Sequence, residues 1–359
     1  MYFVKTFYTS QPMSVFPNSL PKPRVVALRG GPTLRWGVLS PGNIAKDFVA
    51  AIHRYTDQRA VAVAGRSVER STAFAGKMDI ARVHPSYEAL VNDPQVDIVY
   101  VASPHSEHKR MALLAIAAGK HVLVEKPVAL TAAEAREIRN GAKTAKVFAM
   151  EGMWTRYLPQ TDVMMQLKTD GVLGELQLAL ADFGTRGSPD PAGRIYNAEL
   201  GGGALLDLGI YPIWFSHLWL GRPMTINAIG NLTATGVDAS TAIVLGYPSG
   251  GQAVLSTTLT AFTPARASIN GTLGRIEVNP WFAVPAGFEL VAPGKGDVRI
   301  PFVDDTGLKF RDGLAWEAVA VAQHIADGLL DSPLHPFEFA IEVMETMDAV
   351  RRQIGTLKS

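Results

Sequence analysis

A chain of 359 residues with a net charge of +1 is long enough for two cores, and has no charge excess to draw it to nucleic acid or an anionic membrane. The absence of cysteine excludes thiol catalysis, thiolate metal sites and disulfide scaffolding, and fits a reducing compartment, expected here to be the cytoplasm. The longest strongly apolar stretch, MALLAIAA at 111–118, is too short to span a bilayer.

Residues 1–33 are rich in proline and small polar residues and lack the charged start, apolar middle and cleavage site of a secretory signal. They are expected to form a loose arm. From 34 to 152 apolar runs alternate with helical patterns: strand 34–40, helix 43–55, strand 59–65, helix 67–78, strand 96–103, helix 107–119, strand 121–127, helix 131–143, strand 146–152. Thr131 and Glu134 have the spacing of a capping box. Such alternation predicts right-handed βαβ crossovers and an α/β domain of Rossmann type, a doubly wound parallel sheet. Beyond 152 the texture changes. ELQLALADFG (175–184) alternates, and short strands with glycine turns follow from 225 to 293, which predicts an open, mostly antiparallel sheet in an α+β domain over 153–359. Helices at 314–330 and 337–354 close the chain, the last expected to pack back on the first domain.

Several stretches carry chemistry. In Gly37-Val-Leu-Ser40-Pro41-Gly42-Asn43-Ile44-Ala45, the residues Ser40, Gly42 and Ala45 occupy the positions of the dinucleotide fingerprint. Gly42 would let backbone approach a pyrophosphate, and the helix N-terminus would face the anion. Ser40 stands where the first glycine belongs and Pro41 cannot donate an N–H, so a plain βα turn remains open. The next strand ends in Gly65-Arg66-Ser67, without the acid that accepts from a ribose 2′-hydroxyl. Given a nucleotide site, Arg66 and Ser67 point to the 2′-phosphate of NADP rather than to NAD. His105 and His108 in SPHSEHKR lack further ligands at metal spacing, so no metal is expected and contact with the cofactor is the better reading. VLVEKP ends a buried strand in Glu125 and Lys126 against Pro127. In GGGALLDLGIYPI, Asp207 and Tyr211 share one face of an otherwise apolar helix, either as a site or as satisfied core groups.

Together WGVLSPGNIA, YVASPHSEHKRMALLAIAAGKHVLVEKP, MEGMWTRYLP, GGGALLDLGIYPI and GTLGRIEV resemble the glucose-fructose oxidoreductase/inositol dehydrogenase (Gfo/Idh/MocA) family. The likeness runs from about Leu34 to the C-terminus. Tyr211, where most of the family has histidine, with EGMWTR upstream, is similar to the dihydrodiol dehydrogenase and D-xylose dehydrogenase subgroup. The resemblance implies an NADP-dependent oxidoreductase acting on a sugar, polyol or cyclic diol, with Lys126, Asp207 and Tyr211 at the hydride-transfer site and Trp154 walling the substrate pocket. It implies cofactor contacts from Ser40, Gly42, Asn43, Ile44, Arg66, Ser67, Ser103, Pro104, His105, His108, Glu125 and Lys126. Tyr211 would be the acid/base. A Lys ammonium about 4 Å away, at an effective dielectric of about 20, is worth about 4 kcal/mol, enough to draw a phenol toward neutral pH. A ketosugar reductase acting on a modified or nucleotide-linked sugar, and a non-catalytic NADP-binding sensor, are the alternatives. Motifs assign neither the substrate nor a role for Arg156. A homodimer or homotetramer through the alternating strands 225–259 is expected, with Ile226, Ile243 and Val254 on the exposed face.

Overall fold

The computed structural model describes residues 16–186, 190–191, 193–294 and 297–357; the first fifteen residues of the expected arm lie outside them. The first domain runs β1 (Arg35–Leu39), α1 (Asn43–Tyr55), β2 (Arg59–Ala64), α2 (Val68–Met78), β3 (Arg82–His84), α3 (Tyr87–Val91), β4 (Ile98–Val101), α4 (His108–Ala117), β5 (His121–Glu125), α5 (Ala132–Ala145) and β6 (Ala149–Gly152). Its six strands are parallel in the order β3-β2-β1-β4-β5-β6. The order reverses between β1 and β4, and the crevice at their carboxyl ends is where such sheets take ligands. Ile98 to Val101 and Val122 to Val124 are wholly buried, because helices cover both faces. The short β3 and α3 escape the sequence reading, since Arg82-Val83-His84 has no apolar run. Thr131 caps α5 by accepting from Glu134 N at 3.2 Å, and the Glu134 carboxylate reaches back to Leu130 N at 3.1 Å.

After α6 (Pro159–Thr169) comes β7 (Leu176–Gly184), then α7 (Ile210–Leu220), β8 (Thr225–Leu232), β9 (Asp238–Gly246), β10 (Gln252–Thr258), β11 (Ala267–Gly271), β12 (Arg275–Val278), β13 (Gly287–Ala292) and β14 (Val298–Val303). These eight strands form one sheet, β14-β13-β12-β11-β7-β10-β9-β8. Only β7 and β10 pair in parallel. α6 hides from periodicity because its buried face includes Gln160, Thr161 and Gln166.

The register corrects which residues the sheet exposes. Ile226 pairs with Leu245 and Ala228 with Ile243 on the inner face, where Ile243 is buried and Ile226 packs against the core. Val254, paired with both Val244 and Leu180, does face outward, and all three are exposed. A slip of one residue in parity separates the two sets.

The closing helices α8 (Leu314–Ala326) and α9 (Phe337–Gln353) span both domains. α8 lies against α1, and α9 against α5, where Asp348 accepts from Ala132 N at 2.8 Å. The described part of the arm, expected to be loose, is tied down instead. Arg24 N donates to Asp162 on α6 at 2.7 Å, while Gly30 N donates to Asp57 at 2.8 Å and Gln58 Nε2 to Pro32 O at 2.7 Å. Backbone groups of Arg24, Gly30 and Pro32 find side-chain partners, which the segment's composition alone does not reveal. No helix among the described residues is long and apolar enough to cross a membrane.

Candidate active site

A cleft of about 1390 Å³ opens between the carboxyl ends of β1, β2, β4 and β5 and the inner side of the eight-stranded sheet. Every cofactor and substrate position expected from the sequence lines it: Ser40 to Ile44, Arg66 and Ser67, Ser103 to His105 with His108, Glu125, Lys126, Trp154, Asp207 and Tyr211.

At the β1–α1 turn, Ser40 has φ of 69°, the left-handed conformation for which the fingerprint uses glycine. Its N–H donates to Ala64 O at 2.9 Å and its carbonyl accepts from Gly42 N at 2.8 Å. Its hydroxyl lies 3.1 Å from Tyr87 Oη, so a serine holds the conformation with a side-chain partner. Pro41 rests on Gly65: a Cβ there would stand 2.8 Å from Pro41 Cδ and 2.8 Å from Ser71 Oγ. The N-terminus of α1 has no side-chain cap, which leaves its N–H groups facing the cleft.

Ser67 caps α2, accepting from Arg70 N at 3.2 Å and donating to Glu69 at 2.7 Å. Arg66 is exposed at the rim, joined by Arg70, which sequence reading missed although four residues separate the two guanidinium groups. His108 is buried between two backbone carbonyls, Pro127 O at 2.8 Å and Ser103 O at 3.0 Å, and burial pushes it down to about 4. His105 Nδ1 donates to Gly201 O at 2.8 Å. No group of three His, Asp or Glu among the described residues is placed to hold a metal ion.

The loop after β5 is fixed from three sides. Pro127 O meets His108, Val128 N donates to Glu151 at 2.9 Å, and Glu151 pairs with His335 at 2.8 Å in full burial. Glu125 accepts a hydrogen bond from the buried Tyr100 hydroxyl, and burial raises its pKa. Lys126 Nζ donates to the backbone carbonyl of Asp207 at 2.6 Å and stands 3.7 Å from its carboxylate. That carboxylate also accepts from Arg194 at 2.9 Å. Burial would raise the Asp207 pKa, but Lys126, Arg194 and His105 outweigh it and hold the carboxyl well below the usual range. Arg194 has no signal in the sequence, since only the fold brings it to Asp207.

Asp207 lies on a π-helical turn, Leu205–Gly209, that runs into α7. Pro212 cannot donate to this part of the ladder, and such widened turns recur at functional sites. Tyr211, one turn on, is buried with its hydroxyl accepting from Trp154 Nε1 at 3.0 Å. Phe183 stacks on its ring at 5.3 Å. Lys126 Nζ stands 4.9 Å from the centre of that ring, over its face. This corrects the expectation for the phenol: burial raises the Tyr211 pKa, and the opposing pulls of Lys126 and Trp154 do not cancel it. Arg156, left without a role by the sequence, donates from Nε to Leu334 O at 2.8 Å and serves the packing of that loop.

Residues 34–153 match the model of the oxidoreductase family with an NAD-binding Rossmann fold, and residues 163–277 match the GFO/IDH/MocA C-terminal domain. The chain is 35% identical over 328 residues to a trans-1,2-dihydrobenzene-1,2-diol dehydrogenase of Mus musculus, covering 90% of this chain and 97% of that one. The Homo sapiens counterpart is 34% identical over 329 residues, covering 90% and 97%. Among solved structures, a 3-ketoreductase from Actinomadura kijaniata in complex with NADP and TDP-benzene is 27% identical with a TM-score of 0.77, covering 90% and 98%. An aldose-aldose oxidoreductase from Caulobacter crescentus has the same fold at 24% identity, with a TM-score of 0.79 and coverage of 89% and 97%. The chain therefore belongs to the Gfo/Idh/MocA family of NAD(P)-dependent oxidoreductases, in its dihydrodiol dehydrogenase subgroup.

Proposed function

We propose that the protein is an NADP-dependent oxidoreductase that moves a hydride between nicotinamide and a CH–OH carbon of a sugar, polyol or cyclic diol. The observation that carries this reading is the contact of Lys126, Asp207, Tyr211 and Trp154 at the floor of the cleft. The residues fit a dinucleotide: an uncapped helix N-terminus behind a left-handed turn at one end, guanidinium groups at the other. When bound, NADP(H) supplies or takes the hydride.

The chain's own groups handle the proton. Tyr211 gives its hydroxyl proton to the substrate oxygen in reduction and takes it back in oxidation. Trp154 occupies one acceptor direction of that hydroxyl, which leaves the O–H free to turn elsewhere. Asp207, ionised and neutralised by Lys126 and Arg194, accepts hydrogen bonds from substrate hydroxyls without leaving a net negative charge beside the phenol. Phe183 and Trp281 add apolar walls suited to the face of a ring.

Arg66 and Arg70 support NADP over NAD, and Glu69 between them is hydrogen-bonded to Ser67. The second domain is proposed to pair with another copy through the outward row of Val244, Val254 and Leu180, and a cytoplasmic location is proposed from the absence of cysteine. The test is oxidation of NADPH and reduction of NADP+ over a panel of aldoses, inositols, anhydrosugars, nucleotide-linked ketosugars and cyclic diols, repeated with NAD(H). Turnover of at least one class with NADP(H), lost in Tyr211→Phe, is expected; no turnover of any class would leave a binding protein in place of an enzyme.

A further inference from the structure

One wall of the cleft comes from the second domain and belongs to no motif: the turn Lys309-Phe310-Arg311-Asp312, across from α1. Asp312 pins this turn, its carboxylate accepting from Lys309 N at 3.1 Å and from the Tyr55 hydroxyl of α1 at 3.0 Å. The three side chains before it stand at the mouth. Phe310 has φ of 48° and is 65% exposed. A bulky aromatic in the left-handed region is strained, and such strain gathers at ligand clamps. Arg311 reaches Asp47, in the second turn of α1, at 2.7 Å, with the two side chains 51% and 35% exposed. Its charge is felt at both Glu125 and Tyr211 within the same cleft.

We propose that Arg311, seconded by Lys309, is a cofactor-binding residue that the second domain extends over the diphosphate of a bound dinucleotide, opposite the N-terminus of α1. The inference rests on the dinucleotide reading of the cleft. An exposed ion pair such as Arg311–Asp47 is weak in water, so its guanidinium exchanges readily onto a diphosphate, which it can grip with two parallel N–H groups. Until then Asp47 keeps the cation aimed at the mouth. Phe310 closes over the same place from the rim. A dinucleotide held this way touches both domains and ties them together.

The experiment is calorimetric titration of the full chain with NADPH, NADH and 2′,5′-ADP, which carries a 2′-phosphate but no diphosphate. Arg311→Ala should weaken NADPH and NADH alike, by about 10-fold, and flatten the salt dependence of both. It should leave 2′,5′-ADP and the melting temperature unchanged, and Arg311→Lys should recover part of the loss. Asp47→Asn separates a ligand from a brace: it frees the guanidinium and removes a carboxylate, so it should tighten both dinucleotides. If the pair only braces the two domains, both substitutions weaken binding together and the proposal is wrong. It is also wrong if Arg311→Ala binds NADPH like the unaltered chain, while the dinucleotide reading survives. If the unaltered chain binds neither dinucleotide, that reading and the proposal fall together.

Discussion

Tyr211 holds its hydroxyl where ionisation is resisted: Phe183 stacks on the ring, the Lys126 ammonium stands over its face, and burial outweighs Lys126, Trp154 and Arg311, which favour the anion. The sign of the pH dependence follows. On the proposed acid/base role, reduction uses the protonated phenol, which a raised pKa preserves across neutral and mildly alkaline pH, so its rate should be flat from pH 6 to about 9. Oxidation uses the phenolate, so its rate should climb with pH toward and beyond about 10, and Tyr211→Phe should abolish that limb. Stopped-flow rates in both directions check this; an oxidation limb centred near neutrality would show that the bound cofactor overrides the burial. Tyr211→Phe should leave folding and NADPH affinity nearly unchanged while turnover drops about 10²–10⁴-fold. Lys126→Met should cost a similar factor and the double variant little more, because groups acting as a unit are not additive. Spacing on an apolar helix put Asp207 and Tyr211 on one face but left site and core readings open, and it was the family resemblance that singled them out. Arg194 was not, because a partner thirteen residues upstream in an irregular segment has no period to betray it.

At the scale of elements, the turns after β1 and β2 are built against each other. Pro41 of the first occupies space that any side chain at Gly65 of the second would need. Gly65→Ala should therefore cost about 1–3 kcal/mol in stability and weaken dinucleotide binding. Denaturant melts and NADPH titration measure both, and unchanged values would mean the turns yield without strain. The strands and helices of the first domain were legible because both signals, buried apolar runs and amphipathic helices, agree with the fold. α6 was not, since its inward face uses Gln160 and Gln166 to donate to Val284 O and Lys22 O. The parity of β8 and β9 was misread for a different reason: apolar residues occur on both faces, and alternation alone does not say which face looks inward.

For the whole molecule, the eight-stranded sheet leaves an outward row of Val244, Val254 and Leu180 that gives way to charged Glu277, Glu289 and Arg299 on the other side. An apolar strip beside a charged one suits an isologous pairing of two copies. Light scattering at micromolar concentration should give at least a dimer, and the double substitution Val244→Lys with Val254→Lys should give a folded monomer. A monomer before substitution would sink the assembly. The passage from a parallel to a mostly antiparallel sheet was readable from the change in texture near residue 152. The tethering of residues 16–33 was not, because it depends on Asp57, Gln58 and Asp162, which become neighbours only through folding.

The bond from Trp154 to the Tyr211 hydroxyl makes the cleft optically self-reporting. Indole emission is sensitive to its hydrogen-bonding partners and to water, and the cleft holds two contrasting indoles: Trp154, 6% exposed, and Trp281, 42% exposed. Titrating Tyr211 should alter the first, and filling the cleft should shift the second to the blue. Trp281→Phe would isolate the deep signal, with the other four tryptophans as a constant background. The same cysteine-free chain accepts a single introduced thiol for a distance probe with nothing to compete for the label. Ligand binding, proton transfer and domain approach could thus be timed separately, in one cuvette, on a protein with a native fluorophore already bonded to the proposed acid/base hydroxyl.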